Sequence, residues 1–133
     1  MSFEIAIQTV IYQTLTAYAP LMAMVEGVFD DVGESQTFPY VTIGESTHAE
    51  NDTVAVFGDD STITIHVWSR YEGRSETKRI QGAIYDALHR AKPTYTGYNI
   101  MGIDWVNSQS FIDTDGETRH GVQTFRILID KTS

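Results

Sequence analysis

Thr62-Ile63-Thr64-Ile65-His66-Val67-Trp68-Ser69-Arg70 is the stretch whose reading decides the fold. Ile63, Ile65 and Val67 alternate with Thr62, Thr64, His66 and Trp68, a period of two that marks a strand with one buried face. Two further stretches repeat the signal. Phe38-Pro39-Tyr40-Val41-Thr42-Ile43-Gly44-Glu45 starts beside a proline, which suits the first residue of a strand, and sets Val41 and Ile43 against Thr42 and Gly44. The run from Asp113 to Ile129 opens with Asp113-Thr114-Asp115-Gly116-Glu117, in which Asp115-Gly116 readily takes positive φ in a tight turn. It continues with His120, Val122, Thr124, Arg126 and Leu128 on one side and Gly121, Gln123, Phe125, Ile127 and Ile129 on the other. Tyr98 to Val106 reads as another strand, with Ile103 and Trp105 on one face, and about Asn107 to Ile112 as one more.

Two segments change the period from two to between three and four. Phe3, Ile7, Val10, Ile11, Leu15 and Tyr18 predict an amphipathic helix over 3–18, with Ser2 as N-cap and Pro20 closing it. Leu21, Met22, Met24 and Val25 add a short second turn, and Val28-Phe29 is a brief apolar pair. The stripe Ile80, Ala83, Ile84, Ala87, Leu88 and Ala91 predicts a second long helix, capped by Ser75 and ended by Pro93. Two main helices on a largely antiparallel or mixed sheet make an α+β domain, and 133 residues are one domain, 1–133.

Residues 46–60 break the strand pattern and read as a long, mobile β-hairpin loop. Val54, Val56 and Phe57 within it lie outside every helix stripe and strand alternation. They read either as a strand pairing inside the hairpin or as an assembly contact, where full burial is worth about 1.5–3 kcal/mol each.

The net charge of −9 is unevenly spread. Residues 1–69 hold ten acids and no Lys or Arg; the remaining 64 hold eight acids and nine bases. Groove binding of DNA, which needs clustered Lys and Arg, is disfavoured. Acidity of this kind serves solubility, or it lines a passage that repels phosphate, and both readings fit. The absence of Cys removes disulfides and thiolate metal sites. No stretch approaches the length of an apolar membrane span, and the N-terminus lacks the basic and apolar regions of a signal peptide, so a soluble intracellular product is expected.

No motif for chemistry emerges. Asp113 to Glu117 departs from a calcium loop, because Gly comes fourth and the twelfth position is Thr124 rather than a bidentate carboxylate; a hairpin turn is the better reading. His48, Glu50, Asp52, Asp59 and Asp60 have no register that would hold a metal. Ser69 lies near His66 in sequence but without a nucleophile elbow, and both usual phosphate cradles are missing. Neither a catalytic residue, a cofactor nor a metal ligand is assigned.

The ordered set of motifs resembles the tail-completion (tail-terminator) proteins of long-tailed bacteriophages. The residues that carry the likeness are Ala19-Pro20-Leu21, Val28-Phe29-Asp30, Pro39 to Gly44, His66 to Arg70, Tyr71-Glu72-Gly73-Arg74-Ser75 and Thr118 to Phe125. The resemblance implies a structural virion protein and not an enzyme. It implies a homo-oligomeric, hexameric ring that caps the tail tube at its head-proximal end and joins it to the head connector. Tube and connector proteins would be its partners, assembly would occur in the host cytoplasm, no membrane would be involved, and DNA would pass without specific binding. On that picture some of Glu26, Asp30, Asp31, Glu34, Glu45, Asp59 and Asp60 line the channel or its rim; the 46–60 loop, whose Val54, Val56 and Phe57 are the candidate assembly contact, departs from the family pattern. Other expectations stay open: a different neck or tail-like-particle component, or, from another class, a small-molecule-binding domain.

Overall fold

A computed structural model describes residues 2–132. Helix α1 (Phe3–Thr16) begins where the Ser2 hydroxyl accepts a hydrogen bond from the Ile5 amide at 3.3 Å, satisfying one of the open donors of the first turn. It buries Ala6, Ile7, Val10, Ile11 and Leu15, the face that the three-and-four spacing marks. The helix stops at Thr16, short of the expected Tyr18. Pro20 does not close α1; it sits in the first turn of a short helix α2 (Ala19–Met22), where its missing N–H would be unpaired anyway.

Five strands follow the order β1 (Val28–Phe29), β2 (Tyr40–Glu50), β3 (Gly58–Ser69), β4 (Tyr98–Ile112) and β5 (Arg119–Lys131) along the chain. In space they lie β1-β2-β3-β5-β4. Only β1 pairs in parallel, with β2; the other three pairings are antiparallel, so the sheet is mixed and the domain α+β as the sequence predicts. Helix α3 (Ser75–Leu88) connects β3 to β4. Its N-cap is Arg74 without a side-chain hydrogen bond, so Ser75 is the first helical residue and not the cap. It ends at Leu88 rather than near Pro93, because Arg90 takes φ 62° and turns the chain into the β4 edge.

The connection expected over 46–60 is a loop only over 51–57. Ser46 to Glu50 pair in register with Ile63 to Asp59, past an irregularity between Ile43 and Ser46. That bulge shifts the alternation, so Ser46 and His48 come to share a face with the helix-covered side of β3 and the sequence pattern dissolves. The same cause hides β4. It is one strand of 15 residues with irregularities at Ile100/Gly102 and Trp105/Asn107, not two strands meeting near Val106.

Helices α1 and α3 pack side by side on one face of the sheet, over Val41, Ile43, Ile63, Ile65, Val67, Phe125, Ile127 and Ile129. Gln81 and Gln123 stitch helix to sheet: Gln123 Nε2 donates to Gln81 O and Gln81 Nε2 to Gln109 O, each at 3.0 Å. At the outer edge of β4 the Arg90 amide donates to Ile103 O at 2.6 Å, and the Trp105 amide donates to His89 Nδ1 at 3.0 Å. Among the described residues the opposite face of the sheet carries no helix, and Thr42, Thr62, Thr64, His66, Trp68, His120, Val122 and Thr124 are half-buried there.

Candidate functional site

The β2–β3 hairpin ends in a small hydrogen-bonded tip. Asn51 N donates to Gly58 O at 3.0 Å, Gly58 N to Asp52 Oδ1 at 2.9 Å, and Thr53 N to Val56 O at 2.9 Å. Lys131 N reaches Phe57 O at 2.9 Å and ties the tip to the end of β5. Gly58 is required by this closure: a Cβ there would stand 2.5 Å from Asn51 O and 2.6 Å from Asp130 Oδ1. The tip lifts Val54 fully into solvent and leaves Phe57 67% exposed, with Val56 half-buried. These three residues belong to no strand, which removes the reading that pairs them inside the hairpin. Val56 and Phe57 instead line an open groove of ≈ 510 Å³ with Ala55, Tyr98, Asn99 and Lys131.

Beneath the tip, the hairpin stem holds a constellation that sequence reading misses. His48 Nδ1 lies 2.7 Å from Asp59 Oδ2, and His48 Nε2 lies 2.9 Å from Ser46 Oγ. One tautomer of the imidazole satisfies both contacts, donating from Nδ1 to the carboxylate and accepting the Ser46 hydroxyl at Nε2. The Ser61 hydroxyl donates to the same Asp59 oxygen. Asp59 is 7% exposed, so its carboxylate is held by the hairpin and is not available to line a channel, which corrects the expectation for that residue. The available signal was the i, i+2 spacing of Ser46 and His48 opposite the Asp59/Ser61 pair, legible only once the bulge is known.

On the helix-free face a row of rings crosses all five strands. Ring centroids lie 6.3 Å apart for Phe29 and Tyr40, 6.3 Å for Tyr40 and Trp68, 3.8 Å for Trp68 and His120, and 4.9 Å for His120 and Phe111. His66 Nδ1 is 2.7 Å from His120 Nε2, and His66 Nε2 is 2.7 Å from Glu45 Oε1. A His66 that donates from Nε2 to Glu45 accepts the His120 Nε2 proton at Nδ1. The hydrogen bond from His66 holds the Glu45 carboxyl below its usual range, helped by a backbone hydrogen bond. Burial pushes the His120 imidazole down and His66 adds to it, against the opposing pull of Asp113 and Glu45.

The remaining predicted acids do not gather. Glu26, Asp30, Asp31 and Glu34 are exposed around β1, and none forms an ion pair among the described residues. Asp60 is bidentate to Arg126 on the helix-free face, Nε and Nη2 donating at 2.8 and 2.7 Å. That bond lowers the Asp60 carboxyl and raises the Arg126 guanidinium. Ser69 Oγ donates to Glu76 Oε1 at 2.6 Å on the helix side, whereas His66 points to the other face, so the two sequence neighbours do not meet. In the 113–118 turn, Asp115 Oδ1 accepts the Glu117 and Thr118 amides at 2.8 Å and Oδ2 accepts the Thr118 hydroxyl at 2.6 Å. These bonds, the hydroxyl first, hold the Asp115 carboxyl down to about 2, and Gly116 takes φ 73° as a hairpin turn requires. Among the described residues no group of His, Cys, Asp or Glu is arranged to hold a metal ion, and no helix is long and apolar enough to cross a membrane.

Comparison with known proteins places this geometry. A family model described as tail completion protein gp17 matches residues 9–130. The tail completion protein gp17 of Bacillus phage SPP1 is 32% identical over 125 residues, which cover 94% of this chain and 92% of the relative. A solved structure of the bacteriophage SPP1 gp17 protein superposes with a TM-score of 0.65 at 32% identity, over 92% of this chain and 87% of that one. A chain from the virion of a native gene transfer agent particle superposes with a TM-score of 0.88 over 97% and 99% of the two chains; at 24% identity it shares the fold. With the family model spanning nearly the whole chain and a relative at 32% identity along it, the chain belongs to the tail completion protein gp17 family of phage tail proteins.

Proposed function

We propose that the chain works as a structural ring subunit, hexameric by resemblance to tail terminators, which caps the phage tail tube and joins it to the head connector. The observation that carries this reading is the hairpin tip. A rigid antiparallel stem, locked by His48 and Asp59, projects Val54 and Phe57 into solvent, an arrangement that serves contact with another chain and no chemistry. Assembly takes place in the host cytoplasm, and the ring ends at the head-proximal end of the tail. Native mass and electron microscopy of the purified chain, alone and with tail tubes, test the reading. Rings on tube ends are expected; a chain that stays monomeric and leaves tube ends bare refutes it. The same architecture in the gene transfer agent virion extends the reading to tail-like particles.

The passage through such a ring must let DNA slide without adhesion, which like charge near the wall achieves over the Debye length of about 8 Å. Glu26, Asp30, Asp31, Glu34 and Glu45 keep exposed carboxylates for this role, while Asp59 is buried and Asp60 is neutralised by Arg126. Lysine at these five positions should create salt-sensitive DNA binding without blocking ring formation; a ring that still ignores DNA removes the acids from the wall.

A further inference from the structure

The solvent side of α3 carries a stripe that its own fold leaves uncovered. Arg74, Lys78, Gly82, Tyr85 and His89 recur at spacings of four, four, three and four and therefore share one side of the helix. Arg74 and Lys78 are exposed and form no ion pair among the described residues. Gly82 leaves a dent, since a Cβ there would meet nothing within 4 Å. Beyond it Tyr85 stacks on His89 with ring centroids 4.7 Å apart and meets the Trp105 ring edge-on at 5.9 Å. Tyr85 and Trp105, in ring contact, are 38% and 41% exposed, and Val106, next in the chain, is 47% exposed; Lys78 lies about two turns before Tyr85 on the same side of α3. Isolated exposed apolar residues are ordinary, but an exposed aromatic pair in line with two unpaired cations on one side of a helix makes a surface suited to a partner.

The hairpin tip has the complementary composition. Val54 and Phe57 are its exposed apolar groups, and Glu50 and Asp52 flank them with exposed carboxylates. The chain has no Lys or Arg from residue 46 to residue 60. The tip cannot reach its own α3 stripe. It is fastened to Lys131, the partner of Tyr98, whereas Trp105 pairs with Phe125, six residues back along β5 and about 20 Å away. A contact between two different surfaces of identical subunits is the heterologous kind that closes rings.

We infer that the hairpin tip of one copy docks on the α3 stripe of the next, Val54 and Phe57 against Tyr85, Trp105 and Val106, with Glu50 and Asp52 facing Arg74 and Lys78. This rests on the ring reading above and names the surfaces that would form its junctions. The carboxylates set the register of the contact, while the apolar groups slow its dissociation.

Charge exchange tests it. Arg74→Glu with Lys78→Glu, and separately Glu50→Lys, should each weaken self-association about tenfold or more in sedimentation velocity; Asp52 is left in place because its Oδ1 accepts the Gly58 amide that closes the tip. Glu50→Lys combined with Arg74→Glu should restore part of it, because one pair is re-formed with signs reversed. A photo-crosslinking amino acid in exchange for Val54, a position so exposed that the fold does not depend on it, should link to peptides containing Tyr85 or Trp105 of a second copy. Rings that form equally well in both charge variants, or crosslinks that map elsewhere, overturn the contact and leave the ring reading standing. A wild-type chain that stays monomeric even with tail tubes present overturns both.

Discussion

His48→Ala probes whether the stem of the β2–β3 hairpin is formed in solution. The imidazole is 17% exposed and its Nδ1 lies 2.7 Å from the Asp59 carboxylate, itself 7% exposed. Removing one partner of a fully buried pair costs about 3–5 kcal/mol, because the remaining group stays desolvated. Here Ser61 still donates to Asp59 and the site borders solvent, so about 2–3 kcal/mol is the appropriate scale. Unfolding entropy of about 2.1 cal/mol/K per residue gives roughly 0.28 kcal/mol/K for this chain, and the melting temperature should fall by about 7–11 °C. Adding Asp59→Asn should regain part of the loss, since a neutral amide is cheaper to leave half-paired than a carboxylate. Calorimetry or thermal circular dichroism reads both. A His48→Ala shift of less than about 2 °C, the scale of an ordinary surface substitution, would mean that residues 46–50 and 58–60 are not paired in solution and that the long mobile connection suggested by sequence is the correct picture.

Val56→Asp combined with Phe57→Ser should leave circular dichroism native and abolish ring formation; a melted subunit would instead show that the tip belongs to the core. Gly121→Val should destabilise the fold by about 1–3 kcal/mol, as the first added carbon would lie 2.6 Å from Gln81 Nε2 and 2.8 Å from Thr77 Cγ2, and unchanged stability would contradict the helix–sheet packing described here. The depressed His120 means that below its ordinary 6.5 the unfolded chain binds this proton before the folded one does, so stability is complete above that pH and declines as pH falls toward the folded value. Glu45, also depressed, adds a loss in the same direction below 4.5. His120→Gln should flatten the upper part of this profile in melting curves taken against pH; an identical slope in the variant rules out the His120 contribution.

What the sequence discloses here depends on whether side chains keep a regular beat. Ile63, Ile65 and Val67 alternate without interruption, and so does the series from Gly121 to Ile129, and both strands are found where the pattern puts them. Asp115-Gly116 discloses its turn for the same local reason, since positive φ is needed at one residue and glycine is there. The stem of the hairpin and the unity of β4 are hidden because bulges near Gly44, Met101 and Val106 shift the beat mid-strand. Asp59 misleads because its helix-side neighbours are polar: Ser61 and His48 occupy positions where an apolar residue would have signalled burial. The α3 stripe is invisible in sequence for a different reason. Tyr85 and Trp105 lie 20 residues apart in different elements, and only the antiparallel return of β4 past the end of α3 sets them together.

The way α3 ends has a consequence for the free edge of the sheet. An open sheet edge is a template for any other strand, and a 15-residue strand whose only charge is Asp104 would be a hazard in a crowded cell. The left-handed turn at Arg90 lays the chain along that edge, so the Ile103 carbonyl and the Trp105 amide are already engaged by Arg90 and His89. Fibre-like stacking through β4 is thereby blocked at its middle by one backbone amide and one imidazole. Side-chain surfaces, rather than the backbone of this edge, are left to decide which neighbour the protein accepts.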